Sequence, residues 1–356
     1  MEPSLDAILA APDDDVPRLA WAKAVGGTRG ELIALQCRLA RGEFARQEKR
    51  QMLARERELV NAFLASWTGP GTASNAILRR GFVEEMWISI DDLLAGIDTL
   101  LEAAPLLRGL TLSGLGVDGS RFHGHSHEQL WEPQAQKLEA VLRRLPAGRI
   151  RWLTIASAGV TLSGDYDEMA DTRGFGDDVA LRIGRAPSLA ELRSLTINAS
   201  VSHTGVEALS ALPLEGFRAA DHRLDAGAAL ELVRRFPRLT RLGLSPGIVG
   251  WSLEEFLAAP ETARLTELSL DCLDDADLAR IASAPALARL QRLDLGNSTA
   301  VTAAGIRALA QSPHLRLRFF SVQSTRLNDI SSMSGAPAFA GLTELRLDWC
   351  ALDGRA

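Results

Sequence analysis

Alternating histidines are the residues of this chain whose types and spacing most resemble a chemical site. The stretch RFHGHSH, residues 121–127, contains His123, His125 and His127, half of the six histidines present. Neutral imidazole is a common zinc ligand, so the stretch is compatible with a metal-dependent enzyme. A zinc site, however, needs three or four converging ligands, and alternate residues of an extended segment point to opposite faces. We interpret the stretch as a polar surface loop and predict no metal, keeping the three histidines as the alternative metal site.

Other catalytic and ligand-binding motifs are missing from the sequence. An acidic stretch, SGDYDEMADTRGFGDD (163–178), has oxygen ligands of the kind that calcium takes but lacks the spacing of a calcium-binding loop. The chain has no GxSxG nucleophile motif, no HExxH zinc motif and no glycine-rich loop followed by Lys-Ser or Lys-Thr. We therefore predict a protein that is not an enzyme, with no catalytic residues and no cofactor.

Composition limits which partners the protein could bind and which cellular compartment it could occupy. The net charge is -6, from 39 basic and 45 acidic residues mixed along the chain, which argues against nucleic acid. No apolar stretch reaches the roughly 18 residues of a membrane span, so we predict no membrane. The N-terminus is acidic where a secretory signal would be basic. The three cysteines, Cys37, Cys272 and Cys350, lack CxxC spacing. Both features favour a cytoplasmic protein.

The elements that would have to position any site follow from an internal repeat of about 25 residues. The pattern Leu-x-x-Leu-x-Leu recurs between residues 106 and 350, as in LRSLTI (192–197), LTELSL (265–270) and LQRLDL (290–295). Apolar alternation predicts a short strand with one buried face. Blocks with helical apolar spacing, such as ADLARIASA (276–284), lie between these strands. Each unit is therefore one strand and one helix, stacked on its neighbours around a continuous core.

This pattern resembles the leucine-rich repeat family, and the full helix in each unit is similar to its ribonuclease-inhibitor-like subclass. The resemblance implies an α/β solenoid with parallel strands on the concave face, helices on the convex face and an α-helical N-terminal cap. The Asn or Cys that often ends such repeats is degenerate here, since that column includes Leu115, Gly247 and Cys350.

The first 80 residues do not repeat and read as helices. The run LAAPDDDVPRLAWAKAVGGTRGELIALQCRLA (9–40) resembles a small domain found beside leucine-rich repeats in myxobacteria and planctomycetes, and implies a bacterial protein. The chain departs from that pattern at residues 21–24. We predict a helical companion and cap domain over 1–80 and the solenoid over 81–356. The first strand is expected in 79–90, with Met86, Ile88 and Ile90 buried.

Irregular repeats indicate further surfaces. The intervals from Leu110 to Leu153 and from Leu153 to Leu195 are much longer than the period, so each contains either a loop or a degenerate extra unit. We place insertions near 114–134 and 161–178. No helix follows the strand at 342–347, so either the C-terminal end is uncapped and allows self-association or partner docking, or the last strand and Trp349 close it.

The concave face is the best candidate for binding, because residues that alternate with the buried leucines line it. Tryptophan and arginine dominate binding hot spots. The predicted partner-binding residues are Trp152, Arg218, Arg241, Glu267, Asp271, Arg292, Asp294, Arg346 and Asp348. The sequence predicts a non-catalytic module that binds a protein of unknown identity through this face and the insertions. Two alternatives remain open: a regulator of a partner enzyme, such as an inhibitor or GTPase activator, and a metal-dependent enzyme at the histidine stretch.

Overall fold

The computed structural model describes residues 5–42, 44–66, 75–118, 127–156, 160–161, 173–219, 226–244, 252–296, 298–323 and 330–347. For residues 117–118, 127–130, 160–161, 173–174 and 226–227 only the backbone is described.

Helices and strands alternate along most of the chain. The helices are α1 Asp6–Ala10, α2 Asp15–Val25, α3 Gly27–Arg41, α4 Arg46–Ala65, α5 Ile90–Ala103, α6 His127–Arg144, α7 Arg173–Arg185, α8 His203–Ala208, α9 Ala226–Arg235, α10 Leu253–Ala258, α11 Asp275–Ser283 and α12 Ala303–Ala310. The strands are β1 Ala76–Arg79, β2 Phe82–Ser89, β3 Gly109–Ser113, β4 Val117–Asp118, β5 Trp152–Ile155, β6 Val160–Thr161, β7 Ser194–Ile197, β8 Gly216–Ala219, β9 Arg241–Leu244, β10 Glu267–Leu270, β11 Arg292–Leu295, β12 Phe319–Val322 and β13 Glu344–Arg346. None of these described helices is long and apolar enough to cross a bilayer.

One sheet of eleven strands runs through the molecule in the order β1-β2-β3-β5-β7-β8-β9-β10-β11-β12-β13. β1 pairs antiparallel with β2, and every later pair is parallel. β4 and β6 form a separate two-stranded sheet. Because β3, β5 and β7 are direct neighbours, the two long intervals contain no additional strand of the main sheet.

The leucines of the repeat fill one continuous core on one side of this sheet. Along β10, Leu268 and Leu270 are 1 % and 0 % exposed while Glu267 and Ser269 are partly exposed. Equivalent positions on the neighbouring strands join the same cluster together with apolar residues of the helices. The predicted α/β leucine-rich-repeat solenoid is therefore confirmed. We call the sheet face opposite the helices the concave face.

Repeated Ala-Pro turns bring the chain from the helical layer back to the sheet. Pro187, Pro260, Pro285 and Pro337 each begin a short 3₁₀ turn that is followed by a strand. The proline ring fixes φ near the helical value and the first position of such a turn needs no N–H donor. The same dipeptide thus ends the helical part of four units.

Neighbouring helices are joined by hydrogen bonds, in which an aspartate on one helix accepts from the N-cap residue of the next helix. Asp275 accepts hydrogen bonds from the backbone N and the hydroxyl of Thr302, the residue that caps α12. Asp177 does the same for Ser202 at the start of α8. A Cβ at Gly305 would lie 2.5 Å from Asp275 Oδ1, so glycine permits this close approach. These bonds fix the spacing of consecutive units.

The N-terminal helices are joined to the sheet by an ionic cluster of Asp13, Arg18, Glu84 and Arg108. Arg18 Nη2 donates to Glu84 Oε1 at 2.6 Å, and Arg108 Nη2 donates to Glu84 Oε2 at 2.6 Å. Arg108 Nη1 also donates to Asp13 Oδ1 at 2.7 Å. Burial by itself would lower the pKa of Arg108, but its hydrogen bonds to Glu84 and Asp13 outweigh burial and raise that pKa.

The cluster is enclosed, since Arg18 is 0 % and Glu84 is 1 % exposed. Helix α2, which carries Arg18, begins at an N-cap in which Asp14 accepts from Val16 N at 2.9 Å. The acidic run 13–15 therefore both starts this helix and binds it to the sheet.

Strand β1 lies within the first 80 residues, a segment for which the sequence predicted only helices. The domain boundary at residue 80 stays a prediction.

The first strand of the array differs from its prediction at one end. Met86 and Ile88 are buried on β2, as predicted. Ile90 is buried too, but as the first residue of α5. Ser89 is the N-cap of this helix and accepts from Asp92 N at 3.0 Å, so the chain turns one residue earlier than expected.

Candidate functional site

Two rows of side chains cross the concave face, because the parallel register aligns the same position of each strand. The first row is Glu85, Gly109, Trp152, Ser194, Gly216, Arg241, Glu267, Arg292, Phe319 and Glu344. The second row is Trp87, Thr111, Thr154, Thr196, Arg218, Gly243, Ser269, Asp294, Ser321 and Arg346. The β3–β7 part is small and neutral apart from Trp152, and charge is concentrated from β8 onward.

The charged residues of the two rows line an open depression of about 240 Å³. Five of the predicted binding residues line it together: Arg218, Arg241, Glu267, Arg292 and Asp294. Its floor includes the small residues Ser194, Gly216 and Gly243. The structure therefore brings most of the predicted residues into one surface.

Arg218 and Arg241 occupy this depression through a reciprocal exchange with two glycines. In the register of β8 and β9, Arg218 lies opposite Gly243 and Gly216 lies opposite Arg241. A Cβ built on Gly243 would meet Arg218 Cγ at 2.8 Å, and one on Gly216 would meet Arg241 Nε at 3.1 Å. Each arginine thus lies over the space that the opposite glycine leaves, and the two side chains share the seam between β8 and β9.

Arg292 is positioned by an aromatic ring. Its guanidinium carbon lies 3.3 Å from the ring centroid of Phe319 on the next strand, and that of Arg346 lies 5.3 Å from the same centroid. Stacking on a ring orders the guanidinium plane while leaving its N–H edge able to donate. Arg346 is outside the depression and pairs with Glu344, Nη2 to Oε1, at 2.6 Å.

The arginines of the depression differ from most arginines of the chain in their pairing. Among the described residues, Arg218, Arg241 and Arg292 make no ion pair within 4.0 Å, although Glu267 is next to both Arg241 and Arg292 in the register. Arg218 is exposed, and the other two are partly exposed. Their positive charges are therefore not neutralised by a contacting carboxylate within the described part of the chain.

An aromatic patch lies at the other end of the concave face. Trp87, on β2, is 55 % exposed. Trp152 is partly exposed, its ring lies beside the open position at Gly109, and Arg108 stacks on it at 5.2 Å. Large exposed aromatic side chains are frequent anchors in protein interfaces.

The remaining predicted residues lie elsewhere. Asp271 follows β10 and is not part of the depression. Asp348, His123 and His125 are outside the described residues, and for His127 only the backbone at the start of α6 is described. Within the described part of the chain no group of three or more His, Cys, Asp or Glu side chains could hold a metal ion.

Sequence reasoning missed three features of this face. The sequence predicts Trp87 only as part of a capping strand, although its place between the buried Met86 and Ile88 matches the second row. The sequence gives no reason to single out Phe319, on which Arg292 stacks. It also gives none for Gly216 and Gly243, because only the register shows that each faces an arginine.

The stacked units and the aligned side-chain rows define a leucine-rich-repeat-type solenoid with an open, charged sheet face. No protein-family model and no curated protein matches the chain. A chain in the crystal structure of the Rad7 and Elc1 complex in yeast is similar, at 16% sequence identity and a TM-score of 0.44. That alignment covers 98% of this chain and 87% of the yeast chain. A likeness this distant carries no argument about partner or function.

Proposed function

We propose that this protein is a non-catalytic interaction module that binds a protein partner through the concave face, with the insertions near 114–134 and 161–178 contributing to the contact. The observation that carries the proposal is the depression on β8 to β11, in which three arginines pack on the sheet surface but have no ion-pair partner among the described residues. A fold that only needed solvated arginines would not require Gly216 and Gly243 opposite them.

The size and chemistry of the face support a protein partner. A standard interface buries about 1,200–2,000 Å² in total and is anchored by a few tryptophan, tyrosine and arginine side chains. The concave face offers Trp87 and Trp152 at one end and Arg218, Arg241 and Arg292 in the middle, spread over five strands of one sheet. Anchors spread across several strands suit an extended surface better than a small molecule.

The proposal also includes the role of the N-terminal helices. We assign residues 1–80 to a companion domain that caps the first repeat, supported by the resemblance of residues 9–40 and by the ionic cluster. A solenoid needs such a cap because a leading repeat would otherwise expose its core. The cytoplasmic location and the bacterial origin stay predictions from the sequence.

The test is quantitative affinity capture from the native host with three forms of the protein. The variant Arg218→Glu with Arg241→Glu reverses charge on the concave face. The control Arg234→Glu with Arg307→Glu makes the same charge change at exposed positions on α9 and α12, on the other side of the sheet. We expect a set of proteins captured by wild type and control and lost, by at least about tenfold, from the concave-face variant. Equal capture by all three forms would contradict the proposal.

A further inference from the structure

We propose that Arg218 and Arg241 form an anion-binding subsite that takes the carboxylate of an acidic side chain on the partner. This inference rests on the proposed function, because it assigns the chemistry of the partner at one place on the concave face. It concerns the seam between β8 and β9, where GFRA (216–219) runs beside RLGL (241–244) in register.

The register places one arginine on each strand of this seam, in diagonal positions on the same face. Adjacent strands are about 4.8 Å apart, and each arginine lies over the glycine of the other strand. A Cβ at Gly216 would lie 3.1 Å from Arg241 Nε and 3.2 Å from its Nη2, so that guanidinium extends across to β8. Ser194 Oγ lies 2.9 Å from the same position and adds a hydroxyl to the hollow.

Electrostatics favour an anion at this place. Two like charges on neighbouring strands repel each other, and no described carboxylate lies within 4.0 Å of either arginine to offset the repulsion. An incoming anion would remove that repulsion and form charge-assisted hydrogen bonds, which are about twice as strong as neutral ones. Part of each arginine side chain already packs against a glycine of the opposite strand, which reduces the side-chain entropy lost on binding.

The charge around the depression selects a carboxylate over a phosphate. Three arginines line it, but Glu267 and Asp294 line it too, which leaves a net charge of about +1. A carboxylate brings a single negative charge. A phosphorylated side chain carries about -1.5 to -2 at pH 7, and its extra charge would face Glu267 and Asp294. We therefore infer aspartate or glutamate on the partner.

The shape of the depression favours a side chain presented by a larger molecule. Small-molecule sites are enclosed clefts of about 300–1,000 Å³ that bury most of their ligand. This depression is smaller, at about 240 Å³, and Arg218 on its rim is exposed. A lone metabolite would stay largely hydrated there, whereas a partner docked on the surrounding sheet would exclude water.

The experiment uses short probe peptides and the arginine side-chain NMR signals of the full chain. Acetyl-Gly-Asp-Gly-amide is titrated into the protein while the Nε–Hε signals of Arg218, Arg241, Arg234 and Arg307 are followed. We expect saturable shifts at Arg218 and Arg241 and none at the other two. The same peptide with asparagine in place of aspartate should give no saturable shift. The same peptide with phosphoserine at that position should bind no more tightly than the aspartate peptide. Equal shifts at all four arginines, or phosphoserine binding about tenfold tighter, would overturn the carboxylate assignment.

A second variant separates positioned arginines from bulk positive charge. Gly216→Ala with Gly243→Ala keeps every charge but fills the spaces under both side chains, and neither glycine has a positive φ that would strain alanine. We expect aspartate-peptide binding at least about threefold weaker, against about tenfold for Arg218→Gln with Arg241→Gln. Unchanged binding in the alanine variant would show that the reciprocal exchange does not build the subsite.

The two experiments fail independently. If the peptide binds as expected while affinity capture is unaffected by the glutamate variant, the subsite stands and the proposed function falls. If capture is lost in the glutamate variant while no peptide shifts Arg218 or Arg241, the concave face binds proteins by other contacts and the carboxylate inference is wrong.

Discussion

Arginine serves two different purposes at two places on the same sheet. In the ionic cluster, Arg18 and Arg108 share the carboxylate of Glu84, and all three are buried. On the seam between β8 and β9, Arg218 and Arg241 instead lie over two glycines and have no ion-pair partner among the described residues. The first arrangement satisfies its charges within the chain and the second leaves them available.

We expect pairing, more than residue type, to separate structural arginines from the proposed binding arginines. A buried charge must be compensated internally, because removing one partner of a buried pair costs several kcal/mol. An exposed charge on a rigid surface carries no such requirement.

Loss of Glu84 should have the largest effect on stability. Glu84→Ala leaves Arg18 buried without a counter-charge, so we expect the free energy of unfolding to fall by about 3–5 kcal/mol. Glu267→Ala, in the depression, should change it by less than about 0.5 kcal/mol. Denaturant unfolding, with hydrogen exchange of the α2 amides, measures both.

Glu84→Gln tests whether charge is the reason. It keeps the volume of Glu84 but cannot neutralise Arg18, so it should resemble the alanine variant in direction. Equal stability losses at positions 84 and 267 would remove the contrast between the two regions.

We expect the next largest difference in the reactivity of two cysteines, one in the N-terminal helices and one after β10. Burial, followed by the charge of Asp15, raises the pKa of Cys37 in α3 to about 11, from an ordinary value of 9.0. Cys272, after β10, is exposed. We expect iodoacetamide at pH 8 to modify Cys37 at least about tenfold more slowly than Cys272, read by mass spectrometry of the separate peptides.

The same shift has a pH consequence. Because the folded pKa of Cys37 lies above the unfolded value, its stabilising effect is complete below pH 9 and is lost as the pH rises toward 11. Unfolding of Cys37→Ala should lack this part of the alkaline dependence. A fast reaction of Cys37 at pH 8 would show that the N-terminal region is open.

The aromatic support of Arg292 should have a moderate effect on binding. Phe319→Leu removes the ring face on which Arg292 stacks, and a cation–π contact contributes about 0.5–2 kcal/mol. We expect affinity for a captured partner to fall roughly fivefold. Phe339→Leu is a matched control, since both phenylalanines are 6 % exposed and Phe339 packs on Phe320 instead. Equal losses in both variants would assign the effect to core packing.

Asp13 should give the smallest effect. Its hydrogen bond to Arg108, aided by the charges of Arg108 and Arg151, lowers the pKa of its carboxyl. Because the folded pKa is lowered, the Asp13 carboxylate stabilises the protein fully at pH values above the unfolded pKa of 3.8. This stabilisation is lost as the pH falls through the folded pKa. The Asp13 side chain is 64 % exposed, so Asp13→Asn should cost less than about 1 kcal/mol at pH 7. The variant and wild type should converge in acid unfolding, and a constant difference at every pH would rule out the carboxylate as the cause.

The repeating strands could be predicted because their evidence is local. A buried apolar face recurring every ~25 residues leaves little choice of fold, and even Phe217 and Phe320 in leucine positions are buried. The end of β2 was misplaced by one residue, although Ser89 before the acidic pair Asp91 and Asp92 is a readable helix start.

The site was only partly predictable because it depends on register and on distant pairs. Repeat phase alone placed Arg218, Arg241 and Arg292 on one face. The partnership of Arg241 with Gly216 required the alignment of β8 and β9 to a single residue. The ionic cluster joins Arg18 to a residue 66 positions away, and Arg108 to one 95 positions away, which no local pattern indicates.

The position of Glu84 restricts how this architecture can be recombined. Glu84 belongs to the sheet and Arg18 to the helices before it, so a cut between them leaves Glu84 paired with Arg108 but removes the carboxylate that pairs with Arg18. A chimera that grafts these helices onto a foreign array would have to carry Glu84 and Arg108 with it. The ionic cluster is built from two separate parts of the chain, so a chimera keeps it only if both parts are transferred together.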